Sequence, residues 1–147
     1  MNDRPAAQPD FAHLRPGEIE IRTLASDNHV SGIRALAADL AMRADFDLDT
    51  ISDLRLAVEE ACATVLANAD PNGMLVCRLL VSAARLEITA HVRLPAVGEP
   101  AVEPFSLRIL RTLADTVDYW TSGSADGRLF NVQLTTVVRD QHQVPET

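Results

Sequence analysis

Apolar residues recur every three or four positions over residues 51–69 (ISDLRLAVEEACATVLANA). This spacing predicts a helix with one face packed on a sheet, because an α-helix returns to the same side about every 3.6 residues. We expect Asp49 or Thr50 to cap this helix and the Pro-Asn-Gly sequence at 71–73 to end it. The predicted inner face comprises Ile51, Leu54, Val58, Cys62, Val65 and Ala69.

The opposite side of the same helix is also rich in small or apolar residues. Leu56, Ala63 and Ala67 lie there, and Glu60 lies among them with Thr64 one turn further along. We expect a neighbouring helix or the wall of a pocket to cover this second face, with Glu60 turned towards it. The alternative interpretation is that Glu60 is a partly exposed charge with an ion-pair partner.

A strand and a helix are predicted before the central helix. Apolar and polar residues alternate over residues 18–25, which is typical of a strand with one wet face. Ser26 or Asp27 then caps a helix that ends near Arg43. Arg34 lies outside the apolar stripe of this helix and is expected to reach solvent or a partner. The stripe comprises Val30, Ile33, Ala37 and Leu40.

The second half of the chain predicts two hairpins separated by a loop and a helix. Three prolines and one glycine interrupt residues 95–104, so this interval is predicted to be a long loop. The predicted elements are strands over 74–82 and 86–94, a helix over 106–114, and strands over 116–122 and 128–139.

The order of these elements indicates the fold class. Hairpins with helices collected on one face predict a two-layer α/β (α+β) sandwich on a mixed, mostly antiparallel sheet. The length of 147 residues fits a single domain, which we place at residues 18–139. Residues 1–17 hold three prolines among polar residues and are predicted to be disordered, and residues 140–147 are predicted to be a flexible tail.

Composition excludes some classes of function. The formal net charge is −8, and all 13 basic residues are arginine, so no lysine can clamp a phosphate. This charge disfavours direct binding to nucleic acid or to an anionic membrane and suits a basic protein partner. The sequence has no signal-peptide pattern and no apolar run near the roughly 18 residues of a membrane span. We therefore expect a cytoplasmic protein.

The cysteines and histidines carry no metal-binding pattern. Cys62 and Cys77 have apolar neighbours and no CxxC spacing, so we expect buried, reduced thiols. The histidines are scattered over the tail, a helix and a strand, and no metal site is expected. They are His13, His29, His91 and His142.

The central helix resembles one family of proteins. Its sequence is similar to a helix ending in LAVxEACTNAV in the anti-sigma factors of the serine-protein-kinase type, the RsbW-like and SpoIIAB-like proteins. VSGIRALA before this helix and LRTLADTVDYW after the long loop extend the likeness over residues 18–139. These proteins belong to the ATPase superfamily of gyrase, histidine kinases and MutL.

The resemblance implies a fold, a set of partners and an activity. The fold is the Bergerat-type ATP-binding sandwich, and the expected assembly is a homodimer. The expected function is to sequester an alternative sigma factor until an anti-anti-sigma (STAS) protein displaces it. In active members, the resemblance also implies phosphorylation of a serine on the anti-anti-sigma protein with Mg²⁺ and ATP.

The resemblance also assigns roles to single residues. Glu60 matches the family's glutamate that positions or activates the attacking hydroxyl or water. Thr64 stands where the family has the asparagine that holds Mg²⁺, and its shorter hydroxyl is a poorer match. Arg34 matches an arginine at the surface shared by the sigma factor and the anti-anti-sigma protein, with Asp27 and His29 as candidate neighbours.

Two glycine motifs of the family are altered in this chain. HVRLPAVGE stands where the family has DxGxG, and it contains no aspartate and a single glycine. Pro104, Phe105 and Ser106 replace a GLGL-type turn, so one amide donor is lost and bulk is added where a phosphate would bind.

These changes predict a fold retained for protein binding, with ATP and Mg²⁺ use reduced or lost. One alternative is an active Mg·ATP-dependent serine kinase that uses Glu60 as general base. Another is a protein that binds nucleotide only to stabilise its dimer.

Overall fold

Five strands form one layer and three helices form the other within residues 14–124 and 127–138, the part of the chain that the computed structural model describes. The predicted two-layer α/β sandwich is confirmed. The elements are β1 (Ile19–Leu24), α1 (Val30–Arg43), α2 (Leu48–Leu66), β2 (Met74–Ser82), β3 (Arg85–Arg93), α3 (Pro104–Leu113), β4 (Thr116–Ser124) and β5 (Gly127–Val137).

The strands pair in the order β1-β2-β3-β5-β4, and each of these pairings is antiparallel. The predicted antiparallel character is confirmed, but the parallel part of the predicted mixed sheet is absent from the described residues. A two-residue turn joins β2 to β3, as the hairpin prediction required. Both of its residues, Ala83 and Ala84, have left-handed backbone conformations with φ of 47° and 62°. Such a turn matches the twist of the flanking strands, which explains why it is used even without glycine.

The core lies between the helices and one face of the sheet. Along β3, Leu86, Ile88, Ala90 and Val92 are buried and face the helices, whereas the residues between them point to the opposite, polar face of the sheet. The predicted inner face of α2 packs on this layer. Its buried members are Ile51, Leu54, Val58, Cys62 and Val65, and Ala69 is partly buried against them.

Helix α1 begins at Val30, later than the sequence suggested. The prediction that Ser26 or Asp27 caps it was wrong, because the chain first makes a turn in which the Val30 amide donates to the Asp27 carbonyl at 3.2 Å. The N-cap residue is His29, whose side chain makes no capping hydrogen bond. Residues 26–29 therefore connect the edge strand β1 to the helix layer.

Helix α2 begins at Leu48 and is capped by Asp47, so the predicted cap at Asp49 or Thr50 was wrong. The Asp47 carboxylate accepts from the Thr50 amide at 2.9 Å, which satisfies a free donor of the first turn.

The same helix ends at Leu66 instead of continuing to the Pro-Asn-Gly sequence. It ends early because the Asp70 amide donates to the Arg93 carbonyl at 2.8 Å, which draws the chain towards β3. Asp70 also pairs with the Arg93 guanidinium at 3.2 Å. These contacts turn the chain into β2 before the proline is reached.

Both cysteines are free and buried, which confirms their predicted state. Their sulfur atoms lie 4.0 Å apart, one on α2 and one on β2. The contact with Cys62 and burial both raise the pKa of the Cys77 thiol, because each disfavours a thiolate there. The two side chains therefore act as apolar core residues between the layers.

The two predicted terminal segments fall mainly outside the described residues, since these exclude 1–13 and 139–147. Near the described N-terminus, Arg15 pairs with Glu18 at 2.7 Å and with Glu87 on β3 at 3.1 Å. None of the described helices is long and apolar enough to cross a membrane. No group of three or more potential metal ligands occurs in the described part of the chain.

Candidate functional site

A groove runs between α2 and α3 on the outer side of the helix layer, with a volume of about 640 Å³. The groove and α3 lie beside the second apolar face of α2, where the sequence predicted a neighbouring helix or the wall of a pocket. Its α2 wall comprises Leu56, Glu59, Glu60 and Ala63, and its α3 wall comprises Phe105, Arg108, Ile109, Thr112 and Leu113. Most of this lining is apolar, and Leu56 and Phe105 remain 55% and 70% exposed.

Glu60 is half-buried in the groove wall. Its carboxylate has neither a hydrogen bond nor an ion pair with any residue in the described part of the chain. Arg108, on the facing wall, likewise has no ion pair there. The ion-pair interpretation of Glu60 is therefore not supported within this part of the chain, and the groove presents one unpaired charge of each sign.

Thr64 lies one turn beyond Glu60 but does not open into the groove. It is buried, and its hydroxyl donates to the Glu60 carbonyl at 2.8 Å. Such a bond to the preceding turn is a common way to satisfy a buried threonine in a helix. The hydroxyl proton is therefore used by the helix backbone, and burial keeps the hydroxyl oxygen away from the groove.

Arg34 connects α1 to the groove. Its guanidinium donates to the Glu59 carboxylate at 2.9 Å, and Glu59 adjoins Glu60 on the groove wall. The Nε of Arg34 is buried and makes no hydrogen bond in the described structure. Asp27 and His29, the predicted neighbours, are exposed before α1 and do not line the groove.

Asn68 holds the long loop against the C-terminal end of α2. Its side-chain amide donates to the Ala101 carbonyl at 2.9 Å and to the Thr64 carbonyl at 3.0 Å. Its side-chain oxygen accepts from the Ala101 amide at 2.8 Å. This side chain therefore satisfies both backbone groups of Ala101, as a neighbouring strand would.

Arg128 fixes the other part of the same loop. Its guanidinium donates to the Pro95 carbonyl at 3.0 Å and to the Gly98 carbonyl at 2.6 Å. The Glu99 carboxylate lies 3.7 Å from it, although that side chain is mostly exposed. The loop between β3 and α3 is thus tied at both ends by contacts within the protein.

Helix α3 begins with Pro104 in its first turn, two residues before the predicted start. Proline suits this position because its missing amide would be unpaired there. The N-cap is Glu103, whose carboxylate makes no capping bond. Ser106 is half-buried and is absent from the groove lining.

These residues do not fit a bound Mg·ATP in the arrangement described. Thr64 is buried and does not line the groove, so its hydroxyl oxygen is not presented to a metal ion there. The first turn of α3 offers a proline and a preceding carboxylate where phosphate binding requires amide donors and positive charge.

Four contributors to the site were not predicted from the sequence. Asn68 carried a usable signal, because it lies one helical turn beyond Thr64 on the same side of α2. Glu59, Arg108 and Arg128 carried none, because their roles depend on how separate elements meet in space.

The chain is similar to known anti-sigma factors. It is 30% identical over 122 residues to the anti-sigma-F factor RsbW of Mycobacterium tuberculosis. The aligned residues are 80% of this chain and 71% of that protein. The chain belongs to the RsbW family of anti-sigma factors. The resemblance stated from the central helix is thereby confirmed. No protein-family model matches the sequence.

Other comparisons agree with this family. The serine-protein kinase RsbW of Bacillus subtilis is 36% identical over 73 residues, which are 48% of this chain and 46% of that protein. The crystal structure of the RsbU and RsbW domains of Rv1364c from M. tuberculosis matches with a TM-score of 0.64 at 16% identity. That match covers 86% of this chain and 34% of the other.

The fold also matches a light-regulated kinase. The blue-light activated histidine kinase of Erythrobacter litoralis matches with a TM-score of 0.51 at 15% identity, covering 78% of this chain and 43% of that one. These low-identity matches establish the histidine kinase-like ATPase fold for this RsbW-family chain.

Proposed function

We propose that this RsbW-family protein is an anti-sigma factor that binds and inhibits an alternative sigma factor without using ATP. The observation that carries the proposal is the 30% identity to an anti-sigma-F factor over 80% of the chain. Loss of nucleotide use is supported by the burial of Thr64 away from the groove and by the proline at the start of α3.

Arg34 is the residue that we assign to partner binding. It lies on the outer helix layer, and its partner in the free protein is a carboxylate that is itself 53% exposed. An acidic group on the sigma factor could replace Glu59 at little cost, because an exposed ion pair contributes only about 0–1 kcal/mol. Asp27 and His29 remain candidate contacts beside the start of α1.

The proposal also includes an assembly and a release step. We propose a homodimer that acts in the cytoplasm and gives up its sigma factor to an anti-anti-sigma protein of the STAS class. Membership of the RsbW family of anti-sigma factors supports an anti-anti-sigma protein as the competitor. Sedimentation of the purified protein tests the dimer, and a monomer at micromolar concentration would contradict it.

Co-elution tests the central proposal. The purified protein is mixed in turn with each sigma factor of its source genome, without nucleotide, and passed through a sizing column. We expect one sigma factor to co-elute and a purified STAS protein to displace it. If no sigma factor co-elutes with or without Mg·ATP, the proposed function is wrong.

Arg34→Ala tests the assigned contact. We expect about tenfold or greater loss of sigma-factor affinity, in the range of an interface charge whose partner is left unpaired. Arg43→Ala is the matched control, since Arg43 lies on the same helix and its ion pair in the described part of the chain is with Asp39 at 3.0 Å. Equal affinities of both variants would remove Arg34 from the interface.

A Mg·ATP-dependent serine kinase is the second candidate, favoured by the unpaired Glu60 carboxylate in the groove. Incubation with labelled ATP and purified STAS proteins tests it. Label transfer that Glu60→Ala abolishes would establish the kinase and would refute the loss of nucleotide use. Absence of label with every STAS protein of the genome would exclude this candidate.

A further inference from the structure

The groove between α2 and α3 carries two features that the assigned contact at Arg34 does not use. Its walls hold a carboxylate, Glu60, and a guanidinium, Arg108, that are unpaired within residues 14–124 and 127–138 and face each other across an apolar lining. Leu56 and Phe105 lie beside them, and their exposed fractions are 55% and 70%. A contiguous patch of large, exposed apolar residues is typical of an interaction site.

We propose that this groove binds an amphipathic helix of the sigma factor that presents an apolar ridge and a basic residue opposite Glu60. The inference rests on the proposed function, because the occupant is a segment of that partner. The apolar ridge would pack on Leu56 and Phe105, and an acidic residue of the same helix would face Arg108.

The groove walls explain why the occupant is a helix. Both walls are helices, whose backbone groups are already bonded within α2 and α3, so the groove offers side chains only. An extended segment would leave its own amides and carbonyls unpaired there, whereas a helix satisfies them internally. The α3 wall from Phe105 to Leu113 is about 12 Å long at 1.5 Å per residue, which accommodates about two turns.

Charge favours a protein helix over a nucleotide. The ionisable residues of the lining are Glu59, Glu60 and Arg108, so the groove carries two acids against one base. The Glu103 carboxylate also stands at the start of the α3 wall. A polyphosphate would meet more negative than positive charge, whereas a helix that carries both signs can complement the two walls.

The position of the groove links it to the assigned contact. Glu59 lines the groove and also accepts from Arg34 at 2.9 Å, so α1, α2 and the groove form one continuous surface. If an acidic residue of the sigma factor displaces Glu59 from Arg34, the neighbouring segment of the sigma factor would lie at the groove. One partner could therefore use both features.

Leu56→Asp tests the groove, with Leu48→Asp as its matched control. Leu48 is on the same helix and is 79% exposed, but it lies outside the groove. Affinity for the sigma factor that co-elutes with the wild-type protein is measured by calorimetry. We expect Leu56→Asp to weaken binding at least tenfold and Leu48→Asp to change it less than twofold.

A charge reversal tests the orientation of the helix. Glu60→Arg places a cation opposite the proposed basic residue, and we expect at least tenfold weaker binding. Melting temperatures and circular dichroism establish that each variant is folded. A second pair, Phe105→Ala against Val97→Ala, repeats the test on the other wall, since Val97 is 88% exposed on the loop.

The outcomes separate the two proposals. If a sigma factor binds the wild type, Arg34→Ala weakens it, and all groove variants bind like their controls, the groove inference is wrong and the proposed function stands. If no sigma factor binds the wild type, both are wrong. If Mg·ATP binds the wild type, and Leu56→Asp abolishes nucleotide binding whereas Leu48→Asp does not, the groove is a nucleotide site and the inference is overturned.

Discussion

Ion pairing differs between the Glu20 site on the sheet face and the α2–α3 groove on the helix face. On the open face of the sheet, Glu20 accepts from Arg22 and from Arg78, each at 2.8 Å, so its charge is matched within the fold. On the helix face, Glu60 and Arg108 line one groove and make no ion pair in the described part of the chain. The charge of Glu20 on the sheet face is thus paired within the fold, whereas the charges of Glu60 and Arg108 in the groove are not paired within the described residues.

This difference indicates which face is available to a partner. A largely buried, paired charge such as Glu20 must lose its present contacts before it can bind anything, so a partner gains little from it, whereas an exposed pair such as Arg34–Glu59 is exchanged at little cost. An unpaired charge beside exposed apolar side chains offers both a new ion pair and burial of apolar area. We therefore assign binding to the helix face and a structural role to the sheet face.

His91 is the exception on the sheet face, and it gives the largest expected effect. Burial, with Arg78 and Arg22 nearby, lowers its pKa to about 4, while Glu20 opposes the shift. Between pH 7.5 and 5, the unfolded chain takes up a proton at this histidine that the folded protein does not. The free energy of unfolding should therefore fall by about 2 kcal/mol over this interval.

Urea unfolding at the two pH values measures this loss of stability. His91→Gln is the control, because it removes the titrating group and should flatten the pH dependence by the same amount. An unchanged slope in His91→Gln would show that other groups cause the loss.

Glu20→Gln should give the next largest effect. The substitution leaves the Arg22 and Arg78 guanidiniums without their shared carboxylate, and Glu20 is largely buried with a side-chain exposure of 12%. We expect a loss of about 1–2 kcal/mol in the free energy of unfolding. Sigma-factor affinity should not change, and an affinity loss would place the sheet face in the interface.

Asn68→Ala tests the tie between α2 and the long loop. It removes the two hydrogen bonds to Ala101 and the one to the Thr64 carbonyl. We expect a loss of about 1 kcal/mol and faster amide exchange in residues 95–103, because loop contacts contribute mainly to local stability. Exchange that is unchanged in this interval would show that Arg128 alone holds the loop.

Glu60→Gln should have the smallest effect on stability. The carboxylate has no partner in the described structure, so its neutral analogue loses no contact, and we expect a change within about 0.5 kcal/mol. Chemical denaturation of Glu60→Gln and Glu20→Gln in parallel measures the free energy of unfolding of each and so compares the two faces. Equal destabilisation by the two substitutions would remove the distinction drawn between them.

The sequence predicted the fold well because its layers follow from periodicity. The stripe on α2 and the alternation in β3 each specify which side is buried, and the structure buries those sides. Helix starts were predicted less well. At α1 and α2 several adjacent polar residues could serve as caps, and the path of the preceding chain decided between them.

The candidate site could be predicted only in part. Glu60 and its apolar surroundings follow from the helical pattern of α2 alone. The Arg34–Glu59 pair and the contacts of Arg128 join residues about 25 to 33 positions apart, so their formation depends on the packing of separate elements. No local pattern in a single sequence encodes such distances.

Calorimetric titration of the co-eluting sigma factor into this RsbW-family protein, with and without Mg·ATP, tests the central claim most directly. We predict the same affinity in both conditions, because we propose that the helix face binds without nucleotide. Binding that occurs only with Mg·ATP would contradict this account.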